Sequence, residues 1–393
     1  MYLDPKQMLT DGVFCPIPWT GFMFNFNGTV KNCIRSSHHM PTIGDLKDNT
    51  IEEILLGERN LKVQQSILDS KQVPSCHTCY DLERGKKGFD IISDRIFYLR
   101  ELRKEPLTTY QYNTFNLKTI DVRWTNTCNF ACTYCNPSFS SKWTKELGVS
   151  HHLPTEEQLN LLKEYVFKHA HQLEHVYMAG GEPLLMKQNL ELLKLLSEVN
   201  PDVNIRVNTN LSKTGTQIFE RICEFKNVHW TVSGETMGEQ FNYIRYGGKW
   251  EDWLENLDII SKLDHKISFN MLYYMLNYNS LFDTVDFLID RGYHANSFII
   301  GPLLDPIYLN IRHLPKDVLQ YVKTTLQDRI NQNPGYLLED SYRNLLHYVE
   351  QPFEADFLGS LEKLADLDKR RGIDSKTVFP EIYNIKETHC GHW

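Results

Sequence analysis

Several marks of membrane, secreted and nucleic-acid-binding proteins are missing from this sequence. No apolar run reaches the roughly 18 residues of a membrane-spanning helix, so no membrane association is expected. The opening string MYLDPKQMLTDG carries an early acid and no apolar core, which predicts no secretory signal. Cations are not in excess: the formal net charge is −8, which argues against nucleic acid as a partner. Internal repeats and low-complexity segments are absent too. What remains is a chain of 393 residues, 41% hydrophobic and 23% charged. That is an ordinary globular composition, with length for roughly two to three domains.

The nine cysteines cannot all pair with one another, and with no secretory signal metal ligation is favoured over a disulfide framework. Cys128, Cys132 and Cys135 form a C-x3-C-x2-C triplet in the string CNFACTYC, with Tyr134 just before the last cysteine. Three thiolates on one tight loop can hold a four-iron cluster and leave one iron open for chemistry. Cys15 and Cys33, then Cys76 and Cys79, form a second set, for which a cluster and structural zinc are both open readings at this point. Cys223, after Ile222 in a helical pattern, reads as a core thiol. Cys390 lies in the tail His389-Cys390-Gly391-His392-Trp393, which reads as a disordered terminus, with an extra ligand or a lid as the alternative.

Residues 1–85 read as a small, loop-rich α+β domain. FMFNF (Phe22–Phe26) and TVKNC (Thr29–Cys33) flank Asn27-Gly28, a hairpin signal with both central residues expected at positive φ. A helix is expected over 51–68, with Thr50 and Glu53 as its capping box. Residues 86–116 read as a helical linker. From 117 to 315 strands alternate with helices. The expected strands are Ile120–Trp124, His175–Ala179, Val203–Asn208, Val228–Ser233, Ile267–Tyr273 and Ser297–Ile300. The expected helices are Thr155–Ala170, Gln188–Val199, Thr216–Glu224, Glu251–Leu263 and Leu281–Arg291. This is an α/β pattern of parallel strand–helix units, in a barrel or an open sheet. Residues 316–393 read as a helical extension that becomes irregular.

Functional loops in such proteins follow the carboxyl ends of strands. The cysteine loop, Gly180-Gly181-Glu182-Pro183, Asn208-Thr209-Asn210 and Ser233-Gly234-Glu235 all lie there. Paired glycines admit a ligand close to the backbone. Glu182 suits an ammonium group, Asn208 and Asn210 suit ribose hydroxyls, and Arg245 suits a carboxylate, against a plain surface ion pair as the bland reading.

With those residues in view, the chain resembles radical S-adenosylmethionine (SAM) enzymes. CNFACTYC has that family's cysteine spacing and aromatic residue, and Gly180–Pro183 has the form of its glycine motif. The resemblance implies a partial (β/α)6 barrel in which Cys128, Cys132 and Cys135 ligate a SAM-binding 4Fe–4S cluster. It implies that one electron cleaves SAM to methionine and a 5′-deoxyadenosyl radical, which abstracts a substrate hydrogen. It places Tyr134, Gly180, Gly181, Glu182, Pro183, Asn208, Asn210, Ser233, Glu235, Arg245 and Ile300 at the cofactor. Cys15, Gly28 and Cys33, followed by Cys76 and Cys79, resemble the auxiliary-cluster domains called SPASM and twitch, which normally follow the barrel rather than precede it. That likeness implies a second 4Fe–4S cluster on these four cysteines. Expected partners are a peptide or small-molecule, sugar-like substrate and an external electron donor such as flavodoxin or ferredoxin, in a reducing cytoplasm. Tyr273 and Tyr274, at the end of the fifth strand, are weak candidates to meet substrate. The alternative of another class is a noncatalytic, zinc-stabilised binding module.

Overall fold

The computed structural model describes residues 12–33, 42–84, 93–101, 110–150 and 153–390. The chain divides into two compact units: Met1–Thr127 with Ser150–Asn208 and Gly215–Val228, and Cys128–Val149 with Thr209–Thr214 and His229–Trp393.

The first unit carries β1 (Gly21–Phe24), β2 (Thr29–Lys31), β3 (Gly44–Asp45), β4 (Thr119–Val122), β5 (His175–Met178) and β6 (Asn204–Thr209). Their order is β3-β2-β1-β4-β5-β6. β1 and β2 are antiparallel, with Phe24 opposite Val30. β1 runs parallel to β4, with Phe22 opposite Ile120, and β4, β5 and β6 are mutually parallel. The amino-terminal segment, expected as its own domain over 1–85, therefore hydrogen-bonds directly onto the first strand of the strand–helix series.

Strand alternation sorts the faces of this sheet. Ile120, Val122, Val176, Met178, Ile205 and Val207 are buried on one face. Asp121, Tyr177 and Arg206 share a register row on the other. Helices α6 (Glu156–Lys168) and α7 (Lys187–Val199) bury Leu162, Val166, Leu192, Leu193 and Leu196. Each such side chain contributes about 1.5–3 kcal/mol when fully buried. The Thr155–Gln158 capping box opens α6 as expected.

Two local expectations change. The hairpin turns through a three-residue loop closed by Asn25 N–H to Thr29 O and Gly28 N–H to Asn25 O, both at 2.9 Å. Gly28 alone takes positive φ (+91°), as the last residue of such a loop requires. Asn27 instead accepts from Thr29 N–H and Oγ1 through its side chain (3.2 and 2.7 Å). The helix expected over 51–68 is two, α1 (Ile51–Leu55) and α2 (Glu58–Leu68), parted at Leu56 and the extended Gly57. The break lets buried Asn60 donate to the α1-terminal Leu55 carbonyl (2.7 Å) and to Pro18 O (3.0 Å). Beyond α3 (His77–Glu83), the expected linker helix is seen as α4 (Asp94–Glu101); 110–116 is not helical, and 102–109 lie outside the described residues.

The second unit holds parallel strands β7 (Val228–Ser233), β8 (Lys266–Tyr273) and β9 (Phe298–Pro302). With α8 (Gln217–Cys223) of the first unit, and α9 (Gly238–Ile244), α10 (Trp250–Ile260) and α11 (Ser280–Asp290) of the second, the strand–helix alternation of a (β/α)6 fold is complete in chain order. The tail is more regular than expected. Helices α12 (Lys316–Gln332), α13 (Leu337–Glu350), α14 (Phe357–Arg371), α15 (Ser375–Val378) and α16 (Pro380–Cys390) run almost to the end. Buried Leu361, Leu364, Leu367, Phe379 and Ile382 explain why those segments fold. Gly391, His392 and Trp393 lie outside the described residues. Cys223 is half-buried rather than a core thiol. No helix among the described residues is long and apolar enough to cross a membrane.

Candidate active site

The cysteine loop belongs to the second unit, between the end of the β4 segment and α5 (Ser141–Leu147). Its backbone is held from several directions. Ser141 Oγ accepts from Cys128 N–H (3.1 Å), and Ser140 Oγ donates to Phe130 O (2.6 Å). Ala131 N–H donates to Tyr246 O (2.8 Å) and Thr133 N–H to Ile244 O (2.7 Å). Trp143 Nε1 donates to Cys132 O (2.8 Å), and Arg371 Nη2, from the last residue of α14, to Ala131 O (2.8 Å). Asn210 reaches the same loop, its Nδ2 lying 3.8 Å from Cys128 Sγ and 3.1 Å from Asn129 Oδ1.

Burial pushes the Cys132 thiol up, against the opposing pull of Arg245. Burial and then Cys132 push Cys135 up. A bound metal ionises such thiols outright. Among the described residues, no three Cys, His, Asp or Glu side chains gather as ligands of one metal ion. A four-iron cluster asks for one thiolate per iron, which the triplet could give to three of the four.

Beside the loop, Glu235 and Arg245 form a buried two-pronged pair (Nε–Oε2 3.0 Å, Nη2–Oε1 2.5 Å). Tyr134 donates its hydroxyl to Glu235 Oε1 (3.1 Å), and the Arg245 guanidinium lies 5.5 Å from the Tyr134 ring centre. Arg245, expected to clamp a ligand carboxylate or to make a surface ion pair, is thus 4% exposed and grips Glu235. The Tyr274 ring stands edge-on to Tyr134 at 5.7 Å. Its hydroxyl and Thr236 Oγ1 are buried without a partner. Tyr273 is committed elsewhere, donating to Tyr278 O (2.6 Å), which leaves Tyr274 as the candidate of the two. Ser233, half-buried at the end of β7, pairs in register with Asn270. Ile300 is buried on β9, where its N–H donates to Ser341 Oγ (3.2 Å).

The glycine motif belongs to the first unit. Gly180 has φ +120°. A Cβ on Gly181 would lie 2.2 Å from Thr127 O, so only glycine lets this backbone pass. Glu182 N–H then donates to Thr127 O (2.7 Å), tying the motif to the residue before Cys128. Glu182 is fully buried, and its Oε1 accepts from Leu184 N–H (3.2 Å). Asn189 Nδ2 donates to Pro183 O (2.9 Å) while its Oδ1 accepts from Trp124 Nε1 (2.8 Å). Asn189 was not legible as a site residue; a polar residue on the leucine-rich face of α7 was its only signal. Asn208 Oδ1, on β6, is buried with no partner.

The amino-terminal cysteines lie within electrostatic reach of Cys15. Burial pushes Cys15 well up, and Cys76, Cys33 and Cys79 add to the shift. Arg95 fixes the approach to Cys15, donating to Phe14 O (3.1 Å) and pairing in the interior with Glu83 on α3.

Known proteins resemble this chain in two segments. Residues 122–288 match the radical SAM superfamily, and residues 15–80 match the iron–sulfur cluster-binding domain SPASM. A GTP 3′,8-cyclase of Nautilia profundicola is 30% identical over 278 residues, covering 68% of this chain and 83% of that protein. A 7-carboxy-7-deazaguanine synthase of Clostridium acetobutylicum is 36% identical over 101 residues, 25% of this chain. The match spans 39% of that synthase's own length. Among solved structures, Streptococcus suis SuiB bound to S-adenosylmethionine aligns at 16% identity and TM-score 0.41, covering 71% of this chain and 60% of SuiB. The chain belongs to the radical SAM superfamily and carries an auxiliary iron–sulfur domain ahead of the strand–helix series. The family's cofactors are therefore its cofactors: a 4Fe–4S cluster, SAM and auxiliary iron–sulfur.

Proposed function

We propose that the protein cleaves SAM reductively and uses the resulting 5′-deoxyadenosyl radical to take a hydrogen atom from a peptide or a small sugar-like metabolite. The cluster supplies the electron when bound; the protein's part is to hold, orient and shield. In this reading Cys128, Cys132 and Cys135 hold the SAM cluster, and Cys15, Cys33, Cys76 and Cys79 hold the auxiliary one. The Gly180–Pro183 backbone and buried Glu182 receive the methionine amine. Asn208, with its unpartnered Oδ1, accepts from a ribose hydroxyl. Glu235 keeps Arg245 and Tyr134 in place beside the cysteine loop. Tyr274, with its unpartnered hydroxyl, faces substrate or cofactor.

One observation carries the proposal: a three-cysteine loop whose backbone is tied down at Cys128, Phe130, Ala131, Cys132 and Thr133 by surrounding elements. Anaerobic reconstitution with iron and sulfide, then dithionite and SAM, tests it. The expected result is about eight irons per chain, four per cluster, with 5′-deoxyadenosine formed. Cleavage is lost in Cys132→Ala and retained in Cys76→Ala. Bound zinc with no iron and no cleavage would overturn the enzyme reading in favour of a binding module.

A further inference from the structure

The cysteine loop has an outer side that the cofactor assignments leave unused, and it is cationic in a chain of net charge −8. Lys145 on α5 is exposed, and Lys142, one turn earlier, is half-buried with its Nζ 5.7 Å from the Tyr246 ring centre. Lys213 is exposed next to Ser212, whose Oγ accepts from Asn129 of the loop (2.9 Å). Lys369 and Arg370 are exposed in the last turn of α14. The one acid on α5, Glu146, is taken up by Arg371 (3.1 and 3.2 Å) and lies 3.5 Å from Arg370. Asp368 is likewise engaged, by Tyr243 and Ser375. Exposed Leu147 and Val149 add apolar surface at the end of α5.

Behind this face stands Trp143. Its ring lies 6.0 Å from the Arg370 guanidinium and 4.5 Å from that of Arg371, and its indole N–H binds the Cys132 carbonyl. One aromatic side chain thus lies between a cationic surface and a cysteine of the triplet.

We propose that the exposed side of α5, with the last turn of α14, is the docking surface of the electron donor, a small acidic one-electron carrier protein. The proposal rests on the radical SAM reading and names the face that serves it. The reduced carrier would give up one electron, being oxidised by one, to the cluster that Cys128, Cys132 and Cys135 would hold. No bond forms or breaks. Charge complementarity of this kind governs encounter rate and salt dependence.

The test compares two reductants. Dithionite is small and needs no docking surface; flavodoxin, kept reduced by its reductase and NADPH, is the acidic protein probe. In the double variant Lys145→Glu with Arg370→Glu, we expect flavodoxin-driven 5′-deoxyadenosine formation to fall about tenfold or more. Dithionite-driven formation stays within about twofold of wild type. Flavodoxin binding, followed by calorimetry on the reconstituted protein, weakens about tenfold, and wild-type binding weakens with salt. An unchanged flavodoxin rate and affinity, or an equal loss with both reductants, overturns the surface. Wild-type protein that forms no 5′-deoxyadenosine with dithionite overturns the radical SAM reading, and this surface with it.

Discussion

Arg371→Met isolates the contribution of the carboxyl-terminal extension to the cysteine loop. The arginine side chain is 1% exposed, pairs with Glu146, donates to Ala131 O and lies between the rings of Trp143 (4.5 Å) and Tyr246 (4.3 Å). Methionine keeps much of the stem beside the Trp143 and Tyr246 rings, next to a small apolar cluster of Ala131, Trp143 and Leu367. What disappears is a charge-assisted hydrogen bond, worth about 1.5–3 kcal/mol, and cation–π contacts worth about 0.5–2 kcal/mol. The Ala131 carbonyl loses its donor, and Glu146, 15% exposed, keeps only Arg370 at 3.5 Å. The combined loss is about 2–5 kcal/mol, part of which is recovered if water reaches Ala131 O. Most of it falls on the loop, so the sensitive assay is cluster retention. Iron release to a chelator, followed at the cluster's visible absorbance, should be at least about tenfold faster than in wild type. Arg371→Lys, which keeps the charge but not the fork, should fall between. Chelation kinetics identical to wild type in Arg371→Met would refute the claim that α14 braces the loop.

Four further outcomes follow from the geometry. Gly181→Ala places a Cβ 2.2 Å from Thr127 O, an overpacking that costs about 1–3 kcal/mol, and should weaken SAM binding in equilibrium dialysis while leaving the iron count intact. Glu235→Leu leaves Arg245 buried and unpaired, at a cost of about 3–5 kcal/mol in thermal denaturation; adding Arg245→Met should restore most of the stability but not SAM cleavage. Cys223 is pushed up to about 11 by burial, with Glu220 and Glu224 adding to it. At pH 8 only about a thousandth of it is thiolate, so it should resist iodoacetamide in the folded protein, as peptide mapping would show, and Cys223→Ser should keep its iron. Burial holds His313 below its usual range; its Nδ1 accepts from Asp356 N–H (2.8 Å) and its Nε2 meets Ile307 O (2.9 Å). The neutral form is thus favoured in the folded state, and its stabilisation is present above about pH 6.5 and lost as pH falls below it. The melting temperature should drop between pH 7.5 and 5.5, and His313→Gln should flatten that slope.

The strands and most helices of the strand–helix series were legible because their apolar spacing carries the fold. Ile120 and Val122, or Leu162 and Val166, mark their faces without help from elsewhere. The cysteine triplet and Gly180–Pro183 stand out in the sequence because few residue types replace a thiolate, and because no Cβ fits where Gly181 passes Thr127 O. The break at Gly57 was hidden, since it depends on Asn60 finding Pro18 O, 42 positions away. Arg245 shows a different limit. The sequence offered it a ligand carboxylate, but Glu235, ten residues earlier, satisfies the guanidinium inside the protein. Which of two anions an arginine meets is a question of burial, and local pattern does not report burial of a charge.

The place of the auxiliary domain ahead of the strand–helix series follows from strand pairing rather than chain order. β1 forms a parallel ladder with β4, Gly21 opposite Thr119 through to Phe24 opposite Val122. An antiparallel hairpin then brings β2 back along β1, with Lys31 opposite Met23. Cys33 therefore returns toward the end at which β1 began, near Cys15. Thr127, which leads into the cysteine triplet, follows the opposite, carboxyl end of β4. A four-residue strand rises about 13 Å, so the amino-terminal cysteines lie at least that strand's length from where β4 hands the chain on to the triplet. A parallel strand can be added to β4 from either side of it in sequence, provided the connection is long enough to return, and residues 46–118 provide that length.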